Sequence, residues 1–477
     1  MNRKDFVTKE IDQREHHFCY ISDYIWDNPE LGFKEEKASR ILVQALKTEE
    51  FQVTEGVSNM KTAFVASYGD KRPIIGILGE YDALSNLGQD YGVTYQSNLS
   101  GKKAGHGCGH HLLGTGSFAA AVAVKEYIKK NNVAGTIKYY GCPAEEGGSG
   151  KAFMVRDGIF DDIDCAITWH PGTENGVISG SSLANIEIEY SFKGKSAHAA
   201  SNPHVGRSAL DALELMNVGA NFLREHMIQE ARIHYSIIDA GGVSPNVVQS
   251  FTKALYLVRA PKISQVEKLC RRVDKLAEGA AIMTENKVEK RFVKACMEVL
   301  PNDVLGKLLD EKMREIPIPI FSEAESGEFD RLKESFIDGN DLVDRGVAHL
   351  TEEERRKIVK LRKSGVSDYI VPYHFTEHSM AGSTDVGDVS QVCPTVQIRA
   401  ATWIAGTPNH SWQIVCQGKG TIAHKYMLYA GKVMTAAAIE LIENSDLLKR
   451  AKEEFLTRRN GTRFESVIPK EIMPTNN

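Results

Sequence analysis

Short apolar runs, each ending at polar or titratable residues, constrain the fold of this chain more than any other feature. PIIGILG (73–79) ends at Glu80–Tyr81–Asp82, and TIKYYG (136–141) and CAITW (165–169) follow the same pattern, with helical sequence between them. Continuous apolar strands are typical of a sheet that is buried on both faces, and the alternation of strands with helices favours parallel strands. We therefore predict an open α/β fold with a mainly parallel sheet.

A different order of elements begins at about residue 182. Four strands and two helices follow as NIEIEYSFKG, helix 208–225, RIHYSII, KALYLVRA, helix 263–283 and KVEKRFV. The order β-α-β-β-α-β is that of a ferredoxin-like sandwich, so we predict an inserted domain over residues 182–298. Residues 1–181 and 299–477 then form the two parts of the main domain. In the second part, strand-like TVQIRAATWI (395–404) and a long Ala-rich helix (421–443) resume the first fold after a charged, helix-rich stretch (303–365).

Charge and cysteine usage exclude several classes of protein. The 58 Lys and Arg residues against 63 Asp and Glu residues give a net charge of −5, which leaves no basic excess to neutralise phosphates, so nucleic acid is not an expected partner. The charged N-terminus lacks the apolar core of a secretory signal, and no apolar stretch reaches the ~20 residues of a membrane span. Eight cysteines without a C-x-x-C pair indicate a reducing compartment, and we expect a cytoplasmic protein.

The segment GHGCGHHLLG (105–114) is the most informative for chemistry. Cys108 and His110 stand among further histidines between glycines, and thiolate with imidazole is the ligand set of zinc-like metals. Two alternatives remain open from the residues alone. The histidines could be chance residues of a loop, or Cys108 could be a nucleophile activated by a neighbouring His.

Two adjacent carboxylates, Glu145 and Glu146, follow the strand TIKYYG in the segment CPAEEGGSGK (142–151). Such a pair is usually a solvated surface, but open α/β sheets place their sites at the carboxyl ends of strands. One carboxylate could bind a metal while the other acts as a base on water. The flanking GGSGK does not fit the Walker pattern, because Ala152 follows the lysine, and nucleotide binding is disfavoured.

Three further titratable residues follow predicted strands: Asp82, His170 and His410. Each alone is weak evidence, since a lone His more often caps an element or fills the core, but their convergence at strand ends indicates one site. His198 in the inserted domain is equally typical of a structural histidine. Asn246 and Arg259 could equally be residues that form hydrogen bonds within a loop.

Taken together, six strings resemble the family of co-catalytic metallopeptidases and amidohydrolases that includes aminoacylase, carboxypeptidase G and the plant auxin-conjugate hydrolases. They are GHGCGH, CPAEEGGSGK, TWHPG, KGKSAHAASNPHVGRSALDA, GGVSPNVVQ and GTPNHSWQ, and the similarity covers nearly the whole chain. Within the family, WDNPELGF, LGEYDAL and STDVGDVS are most similar to the p-aminobenzoyl-glutamate hydrolase branch. The resemblance implies that the inserted domain is a lid and dimerisation domain.

Carried over residue by residue, the resemblance also implies a two-metal hydrolase. The implied metal ligands are Cys108, His110, Glu146, His170 and His410. The implied catalytic residues are Glu145 as general base, Asp82 as a residue that orients a metal-side group, and His198, which would act across a dimer interface. Asn246 and Arg259 match residues that reach the substrate, and Arg259 suits a carboxylate.

This chain departs from its relatives at several positions. Glu80 stands where better-known relatives have His or Asp, His111 stands where the auxin-hydrolase-like relatives have Asp, and Ser383–Thr384–Asp385 replaces their Ser–Glu–Asp. The roles of these residues therefore stay open at this point.

The expected cofactors are two divalent metal ions per chain, Mn²⁺ or Zn²⁺. The expected reaction is hydrolysis of the amide bond of an N-acyl amino acid, with p-aminobenzoyl-glutamate as the first substrate to test. A dipeptidase, an N-acyl amino acid hydrolase of other acyl preference, and a subunit of a heteromeric hydrolase that is inactive alone are the alternatives. The expected assembly is a homodimer or a heterodimer with a homologous chain.

Overall fold

Strands and helices alternate along the first part of the chain. The computed structural model describes residues 2–97, 103–334 and 351–475, so the stretch 335–350 of the charged, helix-rich region lies outside the described residues. The helices of this first part are α1 (Arg3–Asp12), α2 (Glu15–Asp27), α3 (Glu36–Thr48), α4 (His110–Asn131) and α5 (Gly150–Arg156). Its strands are β1 (Gln52–Glu55), β2 (Phe64–Tyr68), β3 (Ile74–Glu80), β4 (Leu84–Ser85), β5 (Ala104–Gly105), β6 (Thr136–Cys142), β7 (Cys165–Pro171) and β8 (Gly176–Val177).

The rest of the chain adds a second group of strands and then a mostly helical region. The second group is β9 (Ala184–Lys193), α6 (Ala209–Leu223), β10 (Arg232–Asp239), β11 (Phe251–Ala260), α7 (Ile263–Met283) and β12 (Lys287–Cys296). The final region holds α8 (Asp303–Glu315), α9 (Glu323–Glu334), α10 (Glu352–Ser364), α11 (Val386–Ser390), β13 (Thr395–Ala400), α12 (Trp412–Gln417), α13 (Thr421–Glu443) and α14 (Ser445–Arg458).

The large sheet has seven strands in the order β1-β2-β6-β3-β7-β13-β8. Its four central neighbours β6, β3, β7 and β13 are parallel, as the apolar strand pattern predicts, while the outer pairs β1–β2, β2–β6 and β13–β8 are antiparallel. Helices α4 and α13 pack against each other and against the central strands, and α1 covers both helices with Phe6, Val7 and Ile11. The sequence did not lead us to predict α1.

The smaller sheet has the order β10-β11-β9-β12, with all neighbours antiparallel. Helices α6 and α7 pack together on one face of it. The period-2 burial of β11 follows from this arrangement, because every second residue from Thr252 to Ala260 is buried against the helices. The predicted β-α-β-β-α-β sandwich is confirmed as an insertion that interrupts the larger α/β unit.

The structure ends one strand earlier than the sequence pattern predicts. Strand β13 ends at Ala400, four residues before the predicted end, because the Thr402 amide donates to the Ala400 carbonyl (2.9 Å) and closes a turn. All eight cysteines lie in the described residues and none forms a disulfide. Among the helices of these residues, none combines the length and the apolar character that crossing a bilayer requires.

Candidate metal centre

The carboxyl ends of four neighbouring parallel strands meet at one edge of the large sheet. Glu80 is the last residue of β3, and His170 lies near the end of β7. Glu145 follows β6 after two residues, and His410 lies in the loop that follows β13, with a left-handed φ of 51°. Parallel strands bring their carboxyl ends together, so residues far apart in the sequence share one site.

The glycine-rich loop before α4 adds Cys108 and His110 to this edge. Gly109 precedes the helix with φ 74°, and a Cβ at that position would lie 2.9 Å from both Pro171 Cβ and Trp403. Only glycine fits this combination of left-handed backbone and close packing. The turn at Gly109 thus directs the two flanking ligand-type side chains to the strand ends.

Three groups of ligand-type side chains lie close enough to hold metal ions. Within each group, the ligand atoms all lie within 4.8 Å of one another, and the groups are Cys108–His110–His170, Cys108–Glu146–His410 and Glu80–His110–Glu145. Cys108 is common to the first two groups and His110 to the first and third. The arrangement therefore has the form of adjacent metal positions with Cys108 between them. It brings together all five predicted ligands, with Glu145 beside them.

Asp82 holds His110 in one orientation. The His110 Nδ1 lies 2.7 Å from Asp82 Oδ1, and a carboxylate at this nitrogen fixes the tautomer whose Nε2 is free to bind a metal. Burial would raise the pKa of Asp82, but the positive charge of His110 in its protonated, metal-free form and this hydrogen bond lower it below its ordinary value. The second oxygen of Asp82 accepts a hydrogen bond from the Glu146 amide (3.0 Å). One carboxylate thus orients a histidine and the loop that carries Glu145 and Glu146, which we call the acidic loop (residues 143–149).

The buried polar atoms of the site fit a divalent metal. His110 Nε2 and Glu146 Oε1 are buried, and neither finds a hydrogen-bond partner within the described residues. Cys108 Sγ lies 3.4 Å from His170 Nε2, and His410 Nε2 lies 3.4 Å from Glu146 Oε1. Unpaired buried polar atoms are costly, and a cation between them would satisfy them. Thiolate, imidazole and carboxylate together are a donor set for zinc-like ions.

Burial sets the protonation of the acidic pair. Burial, together with the negative charge of Glu80, raises the pKa of Glu145 above its ordinary value. Burial and the adjacent Glu145 raise the pKa of Glu146 to about 8. A carboxylate with a raised pKa accepts protons more readily near neutral pH, which is the property of a general base.

Burial likewise raises the pKa of the Cys108 thiol, and the charge of Glu146 acts in the same direction. Nucleophilic cysteines have a lowered pKa in an electropositive environment, so this surrounding disfavours the nucleophile alternative.

Lys151 is a residue of the site that sequence reasoning missed. Its ammonium is fully buried and lies 2.6 Å from both Glu80 Oε1 and Asp385 Oδ1. The lysine thereby forms ion pairs with two buried carboxylates and fixes Glu80, whose other oxygen lies 3.3 Å from His110 Nε2. The sequence carries no local signal for this role, because a lysine in the first turn of a helix opposes the helix dipole but does not reveal a buried acidic partner.

His106 and His111 form a buried pair beside the centre. Their rings lie 4.8 Å apart, and each Nε2 lies within hydrogen-bonding distance of a backbone carbonyl, at Ile25 (3.2 Å) and Gly418 (2.8 Å). These contacts connect the glycine-rich loop to the end of α2 and to the residue after α12. They account for His111 as a residue that supports the loop.

The predicted residues of the inserted domain lie in two separate places. His198 and Asn246 are exposed neighbours, since the Ala199 amide donates to the Asn246 carbonyl (2.9 Å) and His198 pairs with Val247. Both lie beyond the end of the small sheet at which β11 begins. Arg259 lies at the other end of β11, opposite Asn185 of β9, with a buried Nε that has no hydrogen-bond partner within the described residues.

Comparison with known proteins agrees with this geometry. The sequence profile described as peptidase family M20/M25/M40 matches residues 76–333. The chain is 43% identical to one of the subunits of p-aminobenzoyl-glutamate hydrolase from Escherichia coli strain K12, and the similarity covers 98% of both chains. It is 26% identical to the human Xaa-Arg dipeptidase, over 96% of this chain and 93% of the relative.

Among solved structures, a dinuclear metal binding peptidase from the M20 family of Bacillus subtilis aligns with a TM-score of 0.53. The sequences are 16% identical, and the alignment covers 92% of this chain and 99% of the other. At that identity the comparison supports the fold alone.

Proposed function

Because the chain belongs to peptidase family M20/M25/M40, we propose that it is a metal-dependent hydrolase that cleaves the amide bond of an N-acyl amino acid. One observation carries the proposal: five ligand-type residues converge at one sheet edge with the half-buried Glu145 beside them. The relative that is 43% identical over nearly its whole length makes p-aminobenzoyl-glutamate the first substrate, with p-aminobenzoate and glutamate as products.

The proposed metal ligands are those that the sequence predicts. Cys108, His110, Glu146, His170 and His410 would hold two divalent ions, with Cys108 common to both positions. The mixed thiolate, imidazole and carboxylate donors suit Zn²⁺, and Mn²⁺ is the second ion to test. When bound, such ions supply Lewis acidity toward the scissile carbonyl and toward the attacking water.

Each remaining residue has a proposed role that its surroundings support. Glu145 takes the proton of the attacking water and passes it to the leaving amine, which its raised pKa favours. Asp82 keeps His110 oriented through the 2.7 Å hydrogen bond. Arg259 binds the free carboxylate of the substrate, since its guanidinium is half-buried and its Nε lacks a partner within the described part of the chain.

His198 and Asn246 are proposed to complete the site of a partner chain. Strand β11 separates them from Arg259 by about eight residues at roughly 3.3 Å each, or about 25 Å. Residues at opposite ends of one strand do not reach the same small substrate. A dimer in which the inserted domain (182–298) covers the partner's centre would bring His198 and Asn246 to it, with His198 as a donor to the developing oxyanion.

The same proposal keeps the domain boundaries and the compartment that the sequence predicts. Residues 1–181 and 299–477 would form the catalytic domain, and the four-stranded sheet from β9 to β12 lies within the proposed lid. The relative from Escherichia coli is a subunit by name, which makes a heteromer with a homologous chain the alternative to a homodimer. Eight cysteines without a disulfide support the cytoplasm as the compartment.

The test is hydrolysis of p-aminobenzoyl-glutamate by the purified chain after metal removal and reconstitution with Zn²⁺ or Mn²⁺. We expect metal-dependent release of p-aminobenzoate in the wild type and a loss of about 10²-fold or more in Glu145→Gln, with metal content unchanged. Glu311→Gln, a surface substitution of the same kind, should behave as the wild type.

Two outcomes would contradict the proposal in different ways. Near-wild-type turnover by Glu145→Gln would remove Glu145 as the base. Turnover of Xaa-Arg dipeptides but not of p-aminobenzoyl-glutamate would instead favour a dipeptidase, the activity named for the human relative.

A further inference from the structure

The short connection between α2 and α3, which we call the α2–α3 link (residues 28–35), contacts the loops that carry Asp82 and Glu145. The Ala83 amide, next to Asp82, donates to the Glu30 carbonyl (2.8 Å), and Leu31 forms a parallel bridge with Ala83. The sequence shows only a break between two helices here. In the structure, the break places an extended stretch against the first of the two loops.

Glu35, the last residue of the link, makes the contact with the second loop. Its side chain is fully buried, and its Oε1 accepts a hydrogen bond from the Ala144 amide (2.8 Å). Its Oε2 accepts from the Thr62 hydroxyl (2.8 Å). Burying a carboxyl group is costly unless its oxygens are hydrogen-bonded. A segment that only connects two helices does not need a buried Glu, so the buried position of Glu35 requires a further explanation.

Ala144 supplies that explanation. It is fully buried, directly precedes Glu145 and has a left-handed backbone with φ 59°. Such a conformation is unfavourable for a residue with a side chain and persists only when the surroundings hold it. Two hydrogen bonds hold this one, because the Ala144 amide donates to Glu35 and its carbonyl accepts from the Gly148 amide (2.8 Å).

Phe33 of the link supports the other end of the same turn. A Cβ on Gly148 would lie 2.3 Å from the Phe33 ring, so the ring fills the space that the glycine leaves. The ring also packs edge-on against Phe153 of α5, with the centroids 6.5 Å apart. The α2–α3 link therefore contacts the acidic loop both before Glu145 and after Glu146.

We propose that Glu35 is a positioning residue that sets the direction of Glu145 through the Ala144 amide. It does not touch the substrate, and it acts by keeping the strained residue before the base in its left-handed conformation. This inference rests on the role proposed for Glu145. Glu35 thereby connects the loop that carries Glu145 to the α2–α3 link, which also contacts the loop that carries Asp82.

Three substitutions at Glu35 separate positioning from general stability. Glu35→Gln keeps an oxygen for the Ala144 amide and can donate its NH₂ to the Thr62 hydroxyl, so we expect kcat within about 3-fold of wild type. Glu35→Asp keeps a buried carboxyl but withdraws the acceptor by one methylene, and Glu35→Leu removes it. For both we expect kcat to fall by about 100-fold, the effect of misplacing a group by about 1 Å, with KM changed by less than about 3-fold.

The matched control is Glu36→Leu, the same change one residue later. Glu36 is exposed and pairs with Lys61 on the surface (2.6 Å), so this variant should keep both kcat and KM. Thermal midpoints are measured for all variants. Because Glu35→Asp retains the carboxyl group, it provides the kinetic readout if Glu35→Leu does not fold.

The outcomes distinguish this proposal from the one on which it rests. Wild-type kcat in Glu35→Asp or Glu35→Leu would overturn the positioning role, and so would a loss in Glu35→Gln as large as in Glu35→Asp. A fall in kcat that disappears when rates are corrected for the folded fraction would also overturn it. Glu145→Gln is assayed beside them, since high activity of that variant would contradict the role of Glu145 itself.

Discussion

At the scale of single residues, burial decides the protonation state of the histidines around the centre. His106 is fully buried, and its Nε2 lies 3.2 Å from the Ile25 carbonyl. Burial, together with the charge of His110, lowers its pKa from 6.5 to about 3. The folded protein therefore keeps this imidazole neutral over a pH range in which the unfolded chain protonates it.

The sign of the resulting pH dependence follows from linkage. A histidine with a lowered folded-state pKa contributes its full stability above 6.5 and loses that contribution as the pH falls toward 3. We predict that the free energy of unfolding falls between pH 7 and pH 5 by about 2 kcal/mol more in the wild type than in His106→Gln. Gln preserves a donor for the Ile25 carbonyl without a group that titrates in this range.

Urea unfolding of metal-free protein at the two pH values measures this difference. His16→Gln is the control, because that side chain is exposed. Equal pH dependence in wild type and His106→Gln would show that His106 takes up its proton without unfolding.

At the scale of elements, the sequence predicts strands and helices well where the pattern is regular. The predicted bounds of α7 (Ile263–Met283) and α13 (Thr421–Glu443) agree with the structure, because both helices have long uninterrupted apolar faces. The strand ends that carry Glu80 and His170 are also predicted, since apolar runs stop there. Periodicity thus locates the edge of the sheet at which the candidate ligands converge.

The contacts between elements could not be predicted in the same way. Lys151, Glu80 and Asp385 form one buried ion cluster, although they come from a helix, a strand and a loop. Glu35 stands next to the exposed Glu36, and nothing in the sequence distinguishes the buried carboxyl from the surface one. Such roles depend on tertiary packing, which a local pattern does not encode.

The turn before α4 gives a prediction at this scale. Gly109→Ala places a Cβ at φ 74° within 2.9 Å of Pro171 and Trp403, so we expect a loss of about 1–3 kcal/mol in stability. Because the turn directs Cys108 and His110, metal content should fall as well. Equilibrium dialysis against Zn²⁺, followed by elemental analysis, and unfolding experiments measure the two effects.

Gly279→Ala in α7 is the matched control for this substitution. No atom lies within 4 Å of the added Cβ, and alanine is the better helix former, so stability should rise by about 0.5–1 kcal/mol with metal content unchanged. Full metal content in Gly109→Ala would contradict the role of the turn in placing the ligands.

At the scale of the whole molecule, the small sheet separates the two sets of residues that we propose to reach the substrate. Arg259 lies near the end of β11 where β12 finishes at Cys296, and the Cys296 sulfur is 2.9 Å from the Ser149 hydroxyl of the acidic loop. His198 and Asn246 lie beyond the opposite end of the sheet. The end that carries Arg259 is therefore the end that meets the chain's own candidate centre. The exposed His198 and Asn246 are available to a second chain.

This separation predicts complementation between two inactive chains. In a mixed dimer of Glu145→Gln and His198→Ala chains, one of the two centres receives an intact Glu145 from one chain and an intact His198 from the other. Co-expression with two different affinity tags and sequential purification isolates the mixed dimers. We expect about half the wild-type activity per dimer, because one of two symmetric sites is restored.

The control pairs Glu145→Gln with Cys108→Ala, since both defects lie in the chain's own centre and neither site is then intact. An inactive mixed dimer of the first kind, or a His198→Ala chain that is fully active alone, would contradict the proposed contribution of His198 to the partner's site.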